Sequence, residues 1–191
     1  MQKIILASQS PRRKQLLEWA EIDFSVEVSE ADETYPEDLP VAAIPVFIAV
    51  NKAKSVQQKI KRDAIILAAD TIVVLNNTVI TKPANRDDAI KILRSLSGKA
   101  HSVITGVVLL QNKKQVSFAD ITQVEFHALT DEQICFYVDK YKPYDKAGAY
   151  AIQEWIGVVG IKSINGDFYN VMGLPVSRVV QELDKFIQGK I

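Results

Sequence analysis

Residues 64–75, AIILAADTIVVL, form a twelve-residue stretch with one charged side chain, Asp70. So apolar a run has to be buried in whatever the chain folds into. Asn76-Asn77 follows as a plausible hairpin turn, and Thr78 to Thr81 returns as a strand. Asp70 is the anomaly, because a carboxylate is costly to bury unless it is paired or binds a metal. A carboxylate at a strand end can hold Mg²⁺ or take a proton from water. It can also end a strand and cap a turn. Because strongly apolar residues continue on both sides of Asp70, the functional reading is favoured.

The remaining pattern alternates strands and helices. Ile4 to Ala7 reads as a short buried strand. Ser10 is placed as an N-cap with Pro11 at the first helical position, and Leu16, Leu17 and Ala20 supply a buried stripe. Residues 29–40 hold five acidic groups and two prolines, the composition of a loop. A helix is expected over 45–60, with Ala49, Ala53 and Val56 on one side. Asn85 caps a helix over 85–96, which Gly98 ends. Longer strands follow at 101–111 and 115–127. Thr130 and Gln133 make a capping box for a helix to about residue 141. Asn165-Gly166 signals a hairpin. Pro175 opens a last helix with Val176, Val179, Val180, Leu183 and Ile187 on its apolar face. This mixture of helices, strands and hairpins points to an α/β or α+β domain with a mixed sheet. The 191 residues suit one domain, 1–191, with room for two lobes and no linker.

Lys plus Arg and Asp plus Glu are both 23, so the formal net charge is zero. A general nucleic-acid or membrane-surface binder needs a basic excess that this chain lacks. With one cysteine, Cys135, the chain has no internal disulfide and no cysteine-based metal site. A reduced, cytoplasmic setting is the expectation, and the first apolar run is too short for a signal segment or a membrane span. No G-x-x-x-x-G-K-[ST], G-x-G-x-x-G, H-E-x-x-H, G-x-S-x-G or C-x-x-C occurs.

Within that frame, ILASQSPRRKQLLEWA at 5–20 stands out. A strand, a tight turn and a helix N-terminus form an anion site, because free backbone N–H groups and the helix dipole point at the turn. Ser8 and Ser10 add hydroxyls, and Arg12 and Arg13 add forked donors suited to phosphate. Cations there oppose the dipole unless an anion is bound. The alternative is a serine cap followed by two solvated arginines. Lys82 precedes Pro83, so its backbone is extended; it either neutralises a phosphate or is a solvated loop lysine. His101, Val103 and Thr105 share one strand face, and His101 is read as structural. Asp145 and Lys146 precede the small residues Ala147, Gly148 and Ala149, which suit close approach to a ligand or a plain turn with a surface ion pair. The two-sided amide of Gln153 can read a base edge.

Taken in order, LASQSPRRKQLL at 6–17, AADTIV at 68–73, Lys82-Pro83, HSVITGV at 101–107, YDKAGAYAIQ at 144–153 and NVMGLP at 170–175 closely resemble the Maf family of nucleoside triphosphate pyrophosphatases. The likeness runs from residue 4 to about 180. It implies an elongated mixed β-sheet flanked by helices, with two lobes and a central cleft, like the inosine triphosphate pyrophosphatases. It implies cleavage of a nucleoside triphosphate between the α- and β-phosphates, with Mg²⁺ or Mn²⁺ as cofactor. By this resemblance Asp70 is the general base. Ser8, Arg13, Lys52 and Lys82 contact phosphate, and Asp70 and Glu33 hold the metal. Arg12, Thr71 and Gln153 tune base choice in the manner of the dTTP and UTP branch. A cytoplasmic homodimer is also implied. Lys142 stands where the family often has glutamate, and Ala151 replaces a frequent glycine, a change expected to be tolerated. A non-catalytic nucleotide-binding regulator of cell division is the alternative. It gains little from Asp70, because a carboxylate repels a triphosphate unless a cation lies between them.

Overall fold

The structure, a computed structural model, describes residues 3–60 and 63–189. Its elements begin with β1 (Ile4–Leu6), α1 (Pro11–Trp19), β2 (Phe24–Val26), α2 (Ile44–Lys59), β3 (Ile65–Leu75), β4 (Thr78–Ile80) and α3 (Arg86–Leu96). They continue with β5 (Ala100–Gln111), β6 (Lys114–Phe126), α4 (Asp131–Tyr141), α5 (Trp155–Gly160), β7 (Ile161–Asn165), α6 (Phe168–Met172) and α7 (Val176–Ile187). The strands form one mixed sheet in the order β2-β1-β3-β5-β6-β7, with β4 paired to β3. β1 runs parallel to β2 and β3, whereas β4 on β3 and β7 on β6 are antiparallel.

Local chemistry sets most boundaries. The Asn85 side chain accepts from the Asp88 N–H at 3.0 Å, opening α3. Thr130 Oγ1 accepts from the Gln133 N–H at 3.2 Å while Gln133 Oε1 accepts from the Thr130 N–H at 2.9 Å, completing the capping box of α4. Three expectations are corrected. Ser10 occupies the N-cap position of α1, but its hydroxyl does not cap the helix; its N–H donates to Ser8 Oγ at 3.2 Å. Asn165-Gly166 is no hairpin: Gly166, at φ 128°, turns the chain from β7 into α6, and a Cβ there would lie 2.8 Å from Thr122 Oγ1. The buried stripe of α7 is Val179, Leu183 and Phe186, with Ile187 exposed.

The chain divides into two compact units interleaved along the sequence. The first comprises residues 1–71, 105–120 and 173–191. Its core packs Ala49, Ala53 and Val56 of α2 against Ile5, Ala7, Ile66, Ala68, Val108 and Leu110 of the sheet. Small side chains on both sides let this helix lie close. Closest of all is Gly106, where a Cβ would stand 2.2 Å from Val46 N and 2.3 Å from the Pro45 carbonyl carbon. The start of α2 therefore rests directly on the β5 backbone.

The second unit comprises residues 72–104 and 121–172. Here α3 and α4 pack side by side. Arg86 grips Asp139 with Nε at 2.6 Å and Nη2 at 2.9 Å, and Arg94 Nε reaches Asp131 at 2.8 Å. His101, Phe126 and Tyr150 form a ring cluster, with His101 Nε2 2.8 Å from the Tyr150 hydroxyl. His101 Nδ1 is buried with no hydrogen-bond partner among the described residues. Asn170 is also buried, its amide donating to the Val103 carbonyl at 3.1 Å and Thr122 Oγ1 at 3.0 Å.

Two outcomes are expected. Gly106→Ala should destabilise the protein by about 1–3 kcal/mol, the usual cost of overpacking, because the obstructing atoms are backbone; a urea unfolding midpoint measures it. Burial lowers the His101 pKa from 6.5 to about 4. The unfolded chain therefore binds the extra proton first, and the stability from the neutral ring is full above pH 6.5 and lost as pH falls toward 4. Unfolding midpoints should drop between pH 7 and pH 5, and His101→Gln should flatten that drop.

Candidate active site

The site is built where β1 ends. β1 and β3 run parallel with Leu6 opposite Leu67, and the Ala7 N–H donates to the Leu67 carbonyl at 2.8 Å. Parallel strands bring their carboxyl-terminal sides to one end, where α/β sheets place their ligands. Ser8 lies two residues past the end of β1, and Asp70 and Thr71 lie a few residues past Leu67 on β3. The tight turn after Ser8 then starts α1, with Pro11 first and Arg12 and Arg13 next.

Arg13 is buried, and its acceptors are all uncharged. Its Nε donates to the Gly173 carbonyl at 2.7 Å, Nη1 to Ser8 Oγ at 3.2 Å and Nη2 to Thr71 Oγ1 at 2.9 Å. Thr71 Oγ1 also lies 2.9 Å from Thr105 Oγ1, and Thr105 is completely buried. Burial pushes the Arg13 pKa below its usual value; the carboxylate of Asp70 offsets this, the charge of Arg12 adds to it, and Glu33 offsets it further. A desolvated guanidinium fixed by neutral dipoles keeps its charge available to an anion.

Asp70 meets a different cation. Lys52, on α2, places Nζ 2.7 Å from Asp70 Oδ1 and 2.6 Å from Glu33 Oε1. The Lys52 and Asp70 side chains are 13% and 12% exposed, and that of Glu33 is 51% exposed, so the group reaches from the protein interior to solvent. Two hard carboxylates thus bracket one position already occupied by positive charge. That donor set suits a divalent ion. Among the described residues no three His, Cys, Asp or Glu side chains gather to hold a metal alone. An ion here would complete its shell with water and ligand oxygens, as Mg²⁺ commonly does.

Of the residues expected from the sequence, the structure joins Ser8, Arg13 and Thr71 in one hydrogen-bonded group and Glu33, Lys52 and Asp70 in another. The two groups meet in the chain at Asp70-Thr71. Arg12 is half-buried on α1 beside Arg13. Lys82 and Gln153 belong to the second unit, and both are exposed. His101, expected to be structural, is buried with Nε2 on the Tyr150 hydroxyl at 2.8 Å. Two participants carried no assigned role in the sequence reading: Thr105, within HSVITGV, and Gly173, whose carbonyl receives Arg13 from a backbone at φ 117°. Glycine at that φ in NVMGLP is the signal that could have marked the turn. Lys146 is buried rather than a surface lysine, with Nζ 2.7 Å from Asp145 and 3.7 Å from Glu154.

The family model described as Maf-like protein matches residues 3–186. A protein of Parabacteroides distasonis named dTTP/UTP pyrophosphatase is 50% identical over 185 residues, 96% of each chain. One of the same name from Cytophaga hutchinsonii is 50% identical over 188 residues, 98% of this chain and 86% of the relative. Among solved structures, the Staphylococcus aureus Ham1 protein superimposes with a TM-score of 0.54 at 13% identity over the full length of both chains. At that identity the likeness concerns the fold alone, and it agrees with the mixed α/β architecture. With nearly the whole chain inside the family model and half its residues shared with these relatives, the protein belongs to the Maf family.

Proposed function

We propose that the protein hydrolyses dTTP and UTP between the α- and β-phosphates, releasing the nucleoside monophosphate and pyrophosphate. The observation that carries this reading is the adjacency of Asp70 and Thr71. One holds a carboxylate on the Lys52 ammonium and the other holds a buried guanidinium, so a proton acceptor and an anion binder stand on consecutive residues. The name shared by relatives at 50% identity supports the substrate.

Phosphoryl chemistry asks chiefly for positioning and charge neutralisation. Ser8 and Arg13 hold phosphate oxygens at the end of β1, and Lys52 and Lys82 add positive charge along the triphosphate. Asp70 keeps Oδ1 on the ammonium and uses its other oxygen to orient a water and take its proton. The water oxygen bonds to the α-phosphorus as the bond to the bridging oxygen breaks, and pyrophosphate leaves with that electron pair. Asp70 and Glu33 fit a divalent ion, Mg²⁺ or Mn²⁺, which when bound neutralises phosphate charge. Arg12, Thr71 and Gln153 contact the base and favour thymine and uracil. A homodimer in the cytoplasm completes this reading; no described helix is long and apolar enough to cross a membrane.

Pyrophosphate release across the common nucleoside triphosphates, with Mg²⁺ or Mn²⁺, tests the proposal. Release should be fastest from dTTP and UTP. Asp70→Asn should lower the rate by on the order of 10²- to 10⁴-fold, the range of general-base catalysis. It should remain folded, because Lys52 keeps Glu33 at 2.6 Å. Full activity in folded Asp70→Asn contradicts the role, and tight binding without release from any nucleotide favours a regulator instead.

A further inference from the structure

The turn that carries Gln153 is held from both sides, and one buried phenol holds most of it. Tyr137, on α4, is completely buried. Its hydroxyl accepts the Ala151 N–H at 3.1 Å and donates to Glu154 Oε2 in a short hydrogen bond. The other oxygen of Glu154 lies 3.7 Å from the buried Lys146 ammonium. Between these two grips the Glu154 N–H donates to the Ala151 carbonyl at 3.1 Å, closing the turn. Tyr150 is tied to His101 on the upstream side. Downstream, Gly157 lies so near Ile152 that a Cβ would stand 1.7 Å from its carbonyl oxygen. Ala151 and Ile152 are buried and Glu154 is half-buried, while Gln153 between them is exposed.

A carboxamide reads a base edge through one donor and one acceptor, and it discriminates only if its backbone origin is fixed. A glutamine on a loose turn follows whichever base arrives. We infer that Tyr137, with Glu154 and Lys146 behind it, is a positioning residue for base selection, acting through Gln153. The inference rests on the proposed function, in which Gln153 contacts the base. Tyr137 itself takes no part in the chemistry, so its effect falls on substrate affinity and selectivity, not on turnover.

Tyr137→Phe removes the hydroxyl and keeps the ring. Steady-state kinetics with dTTP and CTP on the wild type, Tyr137→Phe, Gln153→Ala and the double variant test the inference. Tyr137→Phe should raise KM for dTTP with kcat unchanged. It should reduce the preference for dTTP over CTP by about tenfold, the effect of losing one hydrogen bond's net contribution. The double variant should select no worse than Gln153→Ala alone, since the phenol acts through that residue. Amide exchange should show residues 151–154 less protected in Tyr137→Phe and the β3 strand unchanged, which checks the clamp without substrate. Wild-type selectivity in Tyr137→Phe, a loss that adds in full to that of Gln153→Ala, or unchanged protection at 151–154 would each overturn the inference while leaving the proposed function intact. A wild-type protein that hydrolyses no nucleotide overturns the proposed function, and the base-selecting role falls with it.

Discussion

A carboxylate on a buried strand has to be paired, and the ion pair of Asp70 with Lys52 is the interaction around which the site is arranged. Removing one partner of a buried pair costs about 3–5 kcal/mol, and at 12–13% exposure this pair stands near the low end. The ammonium can arrive only if α2 lies close to the sheet. That closeness comes from Ala49 and Ala53 on the helix, Ala7 just past β1, Ala68 on β3, and the missing side chain of Gly106 beneath Pro45 and Val46. A run of small residues thus has an electrostatic consequence: it sets the height of a lysine over a strand. Glu33, from the acidic loop, then meets the same ammonium from the solvent side.

Arg13 complements this pair by the opposite logic. Its guanidinium is buried without a carboxylate among its hydrogen-bond acceptors, and neutral oxygens of Ser8, Thr71 and Gly173 fix its plane. A cation in the first turn of a helix opposes the helix dipole, and burial adds to that cost. An anionic ligand resolves both. The negative charge of Asp70 and Glu33 partly compensates Arg13 while no anion is bound. Under the proposed function a phosphate-bearing ligand offsets the cost of the two adjacent arginines at the start of the first helix, which differ in placement: Arg13 is fixed in the interior, and Arg12 beside it stays half-exposed.

Much of this was legible in the sequence where a residue carries a strong local cost. Asp70 within an apolar run, Asn85 and Thr130 at helix starts, and Pro11 after Ser10 each announce themselves because their alternatives are unfavourable. Other features turn on partners distant in sequence. Nothing local to Arg13 indicates that it binds the Gly173 carbonyl, 160 residues away. Thr105 and Tyr137 read as ordinary strand and helix residues until their hydroxyls meet Thr71 and Glu154. The elements β2, α5, β7 and α6 span three to six residues, too few to show a period. Asn165-Gly166 misled because its glycine serves a close approach to Thr122 rather than a two-residue hairpin. The resemblance to the family supplied Lys52 and Glu33, which no pattern in the chain distinguishes from other charged residues, whereas the proline after Lys82 already set that lysine apart.

In the proposed reaction, water is added to the α-phosphorus. Hydrolysis of dTTP in ¹⁸O-labelled water, with both products weighed by mass spectrometry, tests it most directly. Attack at the α-phosphorus leaves one labelled oxygen in the thymidine monophosphate and none in the pyrophosphate. Label in pyrophosphate, or release of labelled orthophosphate, would place the attack on another phosphorus and contradict the site as described.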